Sequence, residues 1–262
     1  MGNRLSAFWT VKRRKKYIEK AVAIAAALLV WQLAAMALNQ KILLASPLAV
    51  MRTLGELLAD GAWIRTVLFS FSRIAGGFLL GLLMGTLLAV LSARFHPLEV
   101  MIWPYMAVIK ATPIVSFIIL CLIWISAGNL SVMISFLMVL PVVYTNLLNG
   151  IRGVDRELLE MAELFEIRPV ARLLAIYLPQ IRPYLFAAFE ISIGMAWKAG
   201  IAAEVIGVPG GSIGKMLYNA KIYLATPELF AWTAVLVFVS VVSEKAALML
   251  LRILYDKLER VL

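Results

Sequence analysis

Little in this 262-residue chain is suited to chemistry of its own. There is one cysteine, Cys121, inside an apolar run, so no disulfide can form within the chain. There is one histidine, His96, beside Pro97 in a short turn, with no second ligand nearby for a metal and no partner for a proton relay. Acids are the minority charge, 15 against 25 Lys and Arg. Neither clustered acids nor a His/Asp site stands at a membrane face, which argues against a membrane-embedded enzyme acting on lipids. The N-terminal stretch does not read as a cleavable leader either, because the apolar run from Ala21 to Leu38 is too long and no small-residue cleavage site stands out.

What the chain has in abundance is apolar surface. Hydrophobic residues make up 63% of it and mean hydropathy is +0.93, so an integral membrane protein is expected. The net charge of +10 is concentrated rather than spread. Lys12, Arg13, Arg14, Lys15, Lys16 and Lys20 directly precede the first apolar run, where anchoring against membrane lipid explains them and no nucleic-acid partner is needed. Six spans can be read, about Ile18–Leu38, Thr66–Leu91, Leu98–Ile125, Leu130–Ile151, Pro183–Val208 and Leu229–Leu254, each near or above the ~20 residues a bilayer requires. The expected fold class is an all-α integral membrane protein: a basic tail over 1–17, then a six-span domain over 18–262. The bias of Lys and Arg puts both termini and the loop 152–182 in the cytoplasm, with Lys41, Arg52, Lys215 and Lys221 in the sparser outside loops.

The loop 152–182 cannot cross a bilayer, because Asp155, Arg156, Glu157, Glu160, Glu163, Glu166, Arg168, Arg172 and Arg182 would each be costly in hydrocarbon. Leu158, Leu159, Met161, Ala162 and Phe165 nevertheless recur at helical spacing, as do Val170, Leu173, Leu174 and Tyr177. Two short amphipathic helices are predicted, broken at Glu166-Ile167-Arg168 and restarted by Pro169. Their apolar faces, with Leu164 and Phe165 at the tip, call for a partner. Elsewhere, Ser46-Pro47 opens an amphipathic stretch read as a helix lying on the membrane surface. Gly77, Gly81 and Gly85 form a flat strip where a second helix, of this subunit or another, can approach closely. Gly210-Gly211-Ser212-Ile213-Gly214-Lys215 looks like a phosphate-binding loop, but Pro209 stands where that pattern needs Gly and Met216 where it needs Ser or Thr.

Glu160-Met161-Ala162, followed by Ile176, Leu178 and Pro179, resembles the cytoplasmic coupling motif of type I ATP-binding-cassette importer permeases, in which Glu-Ala-Ala is followed by Gly and then Ile-x-Leu-Pro. Glu166 occupies the motif's Gly position, where Gly would allow a tight turn, so a changed turn or an altered contact to the ATPase is expected. Ser72-Arg73 with Gly76-Gly77-Phe78, Lys110-Ala111-Thr112-Pro113, Asn149-Gly150-Ile151-Arg152, and Trp197-Lys198 with Ala203-Glu204 are similar to the nitrate/sulfonate/taurine-type permeases. The resemblance implies a permease dimer, here most simply a homodimer in a bacterial inner membrane. It also implies two separate ATPase subunits, each receiving one coupling helix around Glu160–Ile167, and an extracytoplasmic solute-binding protein. ATP and its Mg would be used by the ATPases, with no cofactor on this chain and no enzymatic role. Members of the group also carry vitamin precursors, so the resemblance leaves the solute open.

Arg73, Lys110 and Lys198 fall at similar computed depths, roughly 18, 18 and 22 Å from the inner face. With Glu204 they are candidates for a translocation pathway, and three cations there suit an anionic solute. The competing reading is structural pairing, with Glu190 and Glu244 as the available acids. An ion-coupled secondary transporter is the remaining alternative, but it would favour mid-depth carboxylates and internal repeats.

Overall fold

The computed structural model describes residues 2–38, 40 and 42–260, and the side chains of 1–17, 21, 259 and 260 lie outside that description. Lys41 and the side chains of Lys12 to Lys16, used above for topology, therefore lie outside the described residues. Every regular element among the described residues is helical.

The chain divides into two compact units, Met1–Gly61 with Asn219–Thr233, and Ala62–Tyr218 with Ala234–Leu262. The first contains α1 (Gly2–Leu38) and α2 (Pro47–Asp60). Apolar residues from Ile18 to Leu38 make the second half of α1 long enough to cross a membrane. The Ser46 hydroxyl caps α2 by accepting the Ala49 N–H at 3.3 Å, and Gly61 ends the helix at φ 70°. Within this unit the Trp31 and Phe230 rings lie 5.3 Å apart, and the Thr226 hydroxyl donates to the Ile42 carbonyl at 2.6 Å.

The second unit is built on three long helices, α3 (Ala62–Arg94), α6 (Ala127–Arg152) and α9 (Leu178–Gly207), with α6 packed against both others. No apolar driving force separates helix from lipid, so close approach and buried hydroxyls must hold such a bundle. The glycine strip of α3 lies against α6 of the same chain. A Cβ at Gly77 would meet the Val132 carbonyl oxygen at 2.3 Å, one at Gly81 the Val139 Cβ at 2.7 Å, and one at Gly85 the Val143 Cβ at 2.9 Å. Buried hydroxyls add directional bonds: Ser135 donates to the Ala196 carbonyl at 3.1 Å, and Tyr144 to Ser92 at 3.2 Å.

Two spans differ from the sequence reading. The third is broken: α4 (His96–Ala111) and α5 (Ile114–Cys121) meet at 104°. Pro113 forces the preceding residue out of the helical region, and Thr112 is extended at φ −77°, ψ 129°. The fifth does not begin at Pro183. Helix continues from Pro169 through α8 (Pro169–Arg172), a π-helical turn at Leu173–Tyr177 and α9, a 39-residue run, so the second helix of the charged loop and the span are one rod. The Leu178 N–H bonds to the Leu173 carbonyl, and the register change falls just before Pro179, which has no N–H to contribute. Beyond α9 come α10 (Ile213–Ile222) and α11 (Thr226–Arg260).

Candidate functional site

The charged loop folds into a hairpin whose first arm is α7 (Arg156–Leu164). Asp155 caps α7 by accepting the Glu157 N–H at 2.9 Å, while its own N–H donates to the Gln180 side chain at 2.9 Å, tying the start of the loop to α9. The motif residues divide by burial. Ala162 (1% exposed) and Ile176 (7%) pack with Val154 and with the partly buried Leu159, Tyr177 and Ile181. A larger residue at 162 would push the two arms apart. Glu160, Met161, Ile167 and Pro179 are exposed, and Leu178 is half-buried. Leu164 (80% exposed) and Phe165 (70%) project from the tip, next to exposed Val170.

The turn keeps the form a Gly would give. Glu166 adopts φ 50°, the left-handed region, and the N–H groups of Glu166 and Ile167 bond to the carbonyls of Glu163 (3.1 Å) and Ala162 (2.9 Å). These two bonds make a Schellman motif with Glu166 at its left-handed position. The turn therefore holds a strained, exposed carboxylate in the left-handed region, at a cost of about 1–2 kcal/mol.

Two contacts that the sequence did not suggest brace the hairpin. Arg152, where α6 enters the loop, forms a bidentate pair with Glu99 on the first turn of α4, one bond being 2.5 Å, and Glu99 also lies 3.1 Å from His96 Nδ1. Tyr255 on α11 donates to the Leu178 carbonyl at 2.6 Å, with the Arg182 guanidinium 4.8 Å from its ring and 3.7 Å from Asp256. Both contacts join residues far apart in sequence, so no local pattern could have indicated them.

The cations occupy different settings. Arg73 is half-buried; its Nε donates to the Gly128 carbonyl and its guanidinium lies 3.8 Å from the centre of the Phe69 ring. Lys110, at the end of α4 where the helix dipole favours a cation, is exposed and donates to Thr145 at 3.3 Å. Lys198 is exposed on α9 beside the buried Trp197. No ion pair among the described residues joins any of the three to Glu190 or Glu244. Glu204 is fully buried within electrostatic reach of Arg73, and its carboxylate accepts from the Ser70 hydroxyl at 2.7 Å and the Gly214 N–H at 3.2 Å.

Residues 77–260 match the family described as binding-protein-dependent transport system inner membrane component. The chain is 26% identical over 222 residues to SsuC of Bacillus subtilis, provisionally named an aliphatic sulfonates transport permease, covering 84% of this chain and 80% of that protein. It is 27% identical over 159 residues to the nitrate import permease NrtB of Synechococcus elongatus, covering 59% and 55% respectively. A provisionally named permease of an ATP-binding-cassette transporter in Methanocaldococcus jannaschii is 23% identical, over 79% of each chain. The matched region contains the charged hairpin, α6 and α9 whole, and the second half of α3 from Gly77. The chain belongs to the binding-protein-dependent inner membrane components, the transport permeases of ATP-binding-cassette importers.

Proposed function

We propose that this permease is the translocating subunit of an ATP-driven importer that receives a small anionic solute from an extracytoplasmic binding protein. The observation that carries the reading is the bare apolar tip of the coupling hairpin. Leu164 and Phe165 stand in water on a rigid turn, where they serve nothing in the isolated chain and fit the cleft of an ATPase subunit. The hairpin's second arm is continuous with α9, so a push on the tip moves a whole span. Two such permeases, most simply identical, would work with two ATPases. ATP binding closes the ATPases and switches the spans from inward-open to outward-open, a rigid-body change driven by differential binding to the two states. The Lys and Arg bias supports placing both termini and the hairpin in the cytoplasm in this arrangement.

The anionic preference rests on Arg73, Lys110 and Lys198, none of them in an ion pair among the described residues, and is supported by the sulfonate and nitrate named for relatives. An uncharged vitamin precursor is the alternative cargo. The test is to copurify the chain with an ATPase encoded beside it, then measure ATP-dependent uptake of nitrate and a short alkanesulfonate into vesicles. Competition by these anions and not by a neutral pyrimidine supports the reading. A cationic cargo, or uptake without any ATPase, rejects it.

A further inference from the structure

At the end of α9 farthest from the hairpin, the chain turns back on one carboxylate. Glu204 sits in the last turn of α9, about 40 Å along the helix from Leu178 at a 1.5 Å rise per residue. Its carboxylate oxygen Oε2 accepts two bonds, one from Ser70 on α3 and one from the Gly214 N–H in the first turn of α10. The Ser70 oxygen in turn accepts the Ile213 N–H at 2.9 Å. Two of the open N–H groups at the start of α10 are thus satisfied by side-chain oxygens from α3 and α9. The sequence that looks like a phosphate-binding loop, Gly210 to Lys215, here closes on a carboxyl group belonging to the chain itself.

The segment between α9 and α10 is under strain that these bonds oppose. Val208, a β-branched residue, adopts φ 49°, a conformation that persists only where its surroundings impose it. The Glu204 carbonyl accepts the Val208 N–H at 2.9 Å, so one residue holds both ends of the connection. Packing is equally close: a Cβ on Gly214 would meet the Glu204 Cβ at 2.3 Å. The second carboxylate oxygen, Oε1, is buried with no hydrogen-bond partner among the described residues, so the hold rests on Oε2 alone.

We propose that Glu204 and Ser70 form a pin that fixes helix α10 to the ends of α3 and α9 opposite the coupling hairpin, and that transport requires α10 to be held there. Glu204 is a positioning residue in this account: it acts through α10 and touches no solute. The role is geometric, which separates the conservative variants. Glu204→Gln keeps an acceptor at the Oε2 position and retains the pin, whereas Glu204→Asp keeps the charge but falls a methylene short.

The test is hydrogen–deuterium exchange on the full-length permease in lipid nanodiscs, read at residues 210–218, alongside uptake by the complex with its ATPase. Ser70→Ala, Glu204→Asp and Gly214→Ala are expected to raise exchange in that segment at least tenfold with α6 unchanged. The same variants should lower uptake at least fivefold with ATPase copurification intact, while Glu204→Gln stays within about threefold of wild type. The Gly214→Ala arm leaves both pin side chains in place and covers the case in which a Glu204 variant fails to fold. Unchanged exchange in Ser70→Ala and Gly214→Ala overturns the pin. So does the reverse ranking, with Asp rescuing and Gln failing, which would indicate a purely electrostatic role. Raised exchange with normal uptake overturns its part in transport. That part rests on the importer reading, and wild-type ATPase capture tests the importer reading separately from the exchange data.

Discussion

The two ends of α9 are built on opposite principles. At the hairpin end, apolar side chains are turned out: Leu164 and Phe165 are exposed, while a small cluster around Ala162, Ile176 and Val154 holds the two arms together. At the α10 end, polar groups are turned in: Glu204 and Ser70 are fully buried and bonded to each other and to backbone N–H groups. Each end also carries one left-handed residue that is not glycine, Glu166 at φ 50° and Val208 at φ 49°. Glu166 is exposed and its turn closes with backbone bonds alone, whereas the Val208 connection is closed by side chains from two helices. An end that exposes apolar surface is incomplete without a partner. An end that buries its polar groups makes its contacts within the chain.

The sharpest way to break this contrast is to cut each end to alanine. Glu204→Ala leaves the buried Gly214 N–H without an acceptor and the Ser70 hydroxyl without its acceptor, at about 1–3 kcal/mol each. A lower unfolding temperature in a thermal-shift assay is expected. Phe165→Ala should leave that temperature unchanged and instead weaken ATPase capture by about fivefold or more, as expected when an exposed aromatic anchor costing over about 1 kcal/mol is removed. Equal thermal losses in the two variants would erase the distinction.

Next in size are the cations between the two ends. The Lys110→Met, Lys198→Met double variant keeps the long stems, so stability and ATPase copurification should hold while uptake slows several-fold. Full uptake by this variant would make both lysines structural.

The left-handed turns sharpen the comparison further. Glu166→Gly should relieve about 1 kcal/mol of strain and keep capture near wild type, and Glu166→Gln should match wild type. Loss of capture in both, measured by copurification, would instead reveal an ion pair between Glu166 and the ATPase. The smallest effect belongs to the Glu99–Arg152 brace. Half of Arg152 is exposed, and Glu99→Gln should cost no more than about 1 kcal/mol, with the difference from wild type shrinking as salt is raised.

How far the sequence could be read follows the same division. The hairpin end is local: helical spacing of apolar residues, a break at Glu166-Ile167-Arg168 and a motif within 20 residues all lie along one stretch of chain. The first span, Ile18–Leu38, is likewise a property of one uninterrupted run. The break in the third span was visible as Pro113 behind Thr112, but a count of apolar residues passes over it. The continuity of Pro169–Gly207 was hidden because prolines normally start or stop helices, and a π turn absorbs the missing donor here. The pin was out of reach in principle. Ser70 and Glu204 are 134 residues apart, and an isolated glutamate near the end of an apolar run gives no sign of whether it faces a pathway or a buried serine.

The exposed tip of the hairpin is expected to transmit ATPase movement to α9. The direct measurement is ATP-dependent anion uptake by vesicles containing the permease, its ATPase and its binding protein, wild type beside Phe165→Ala at matched thermal stability. Uptake that requires ATP in the wild type and falls together with ATPase capture in the variant is the predicted result. Wild-type capture and uptake by Phe165→Ala would contradict it.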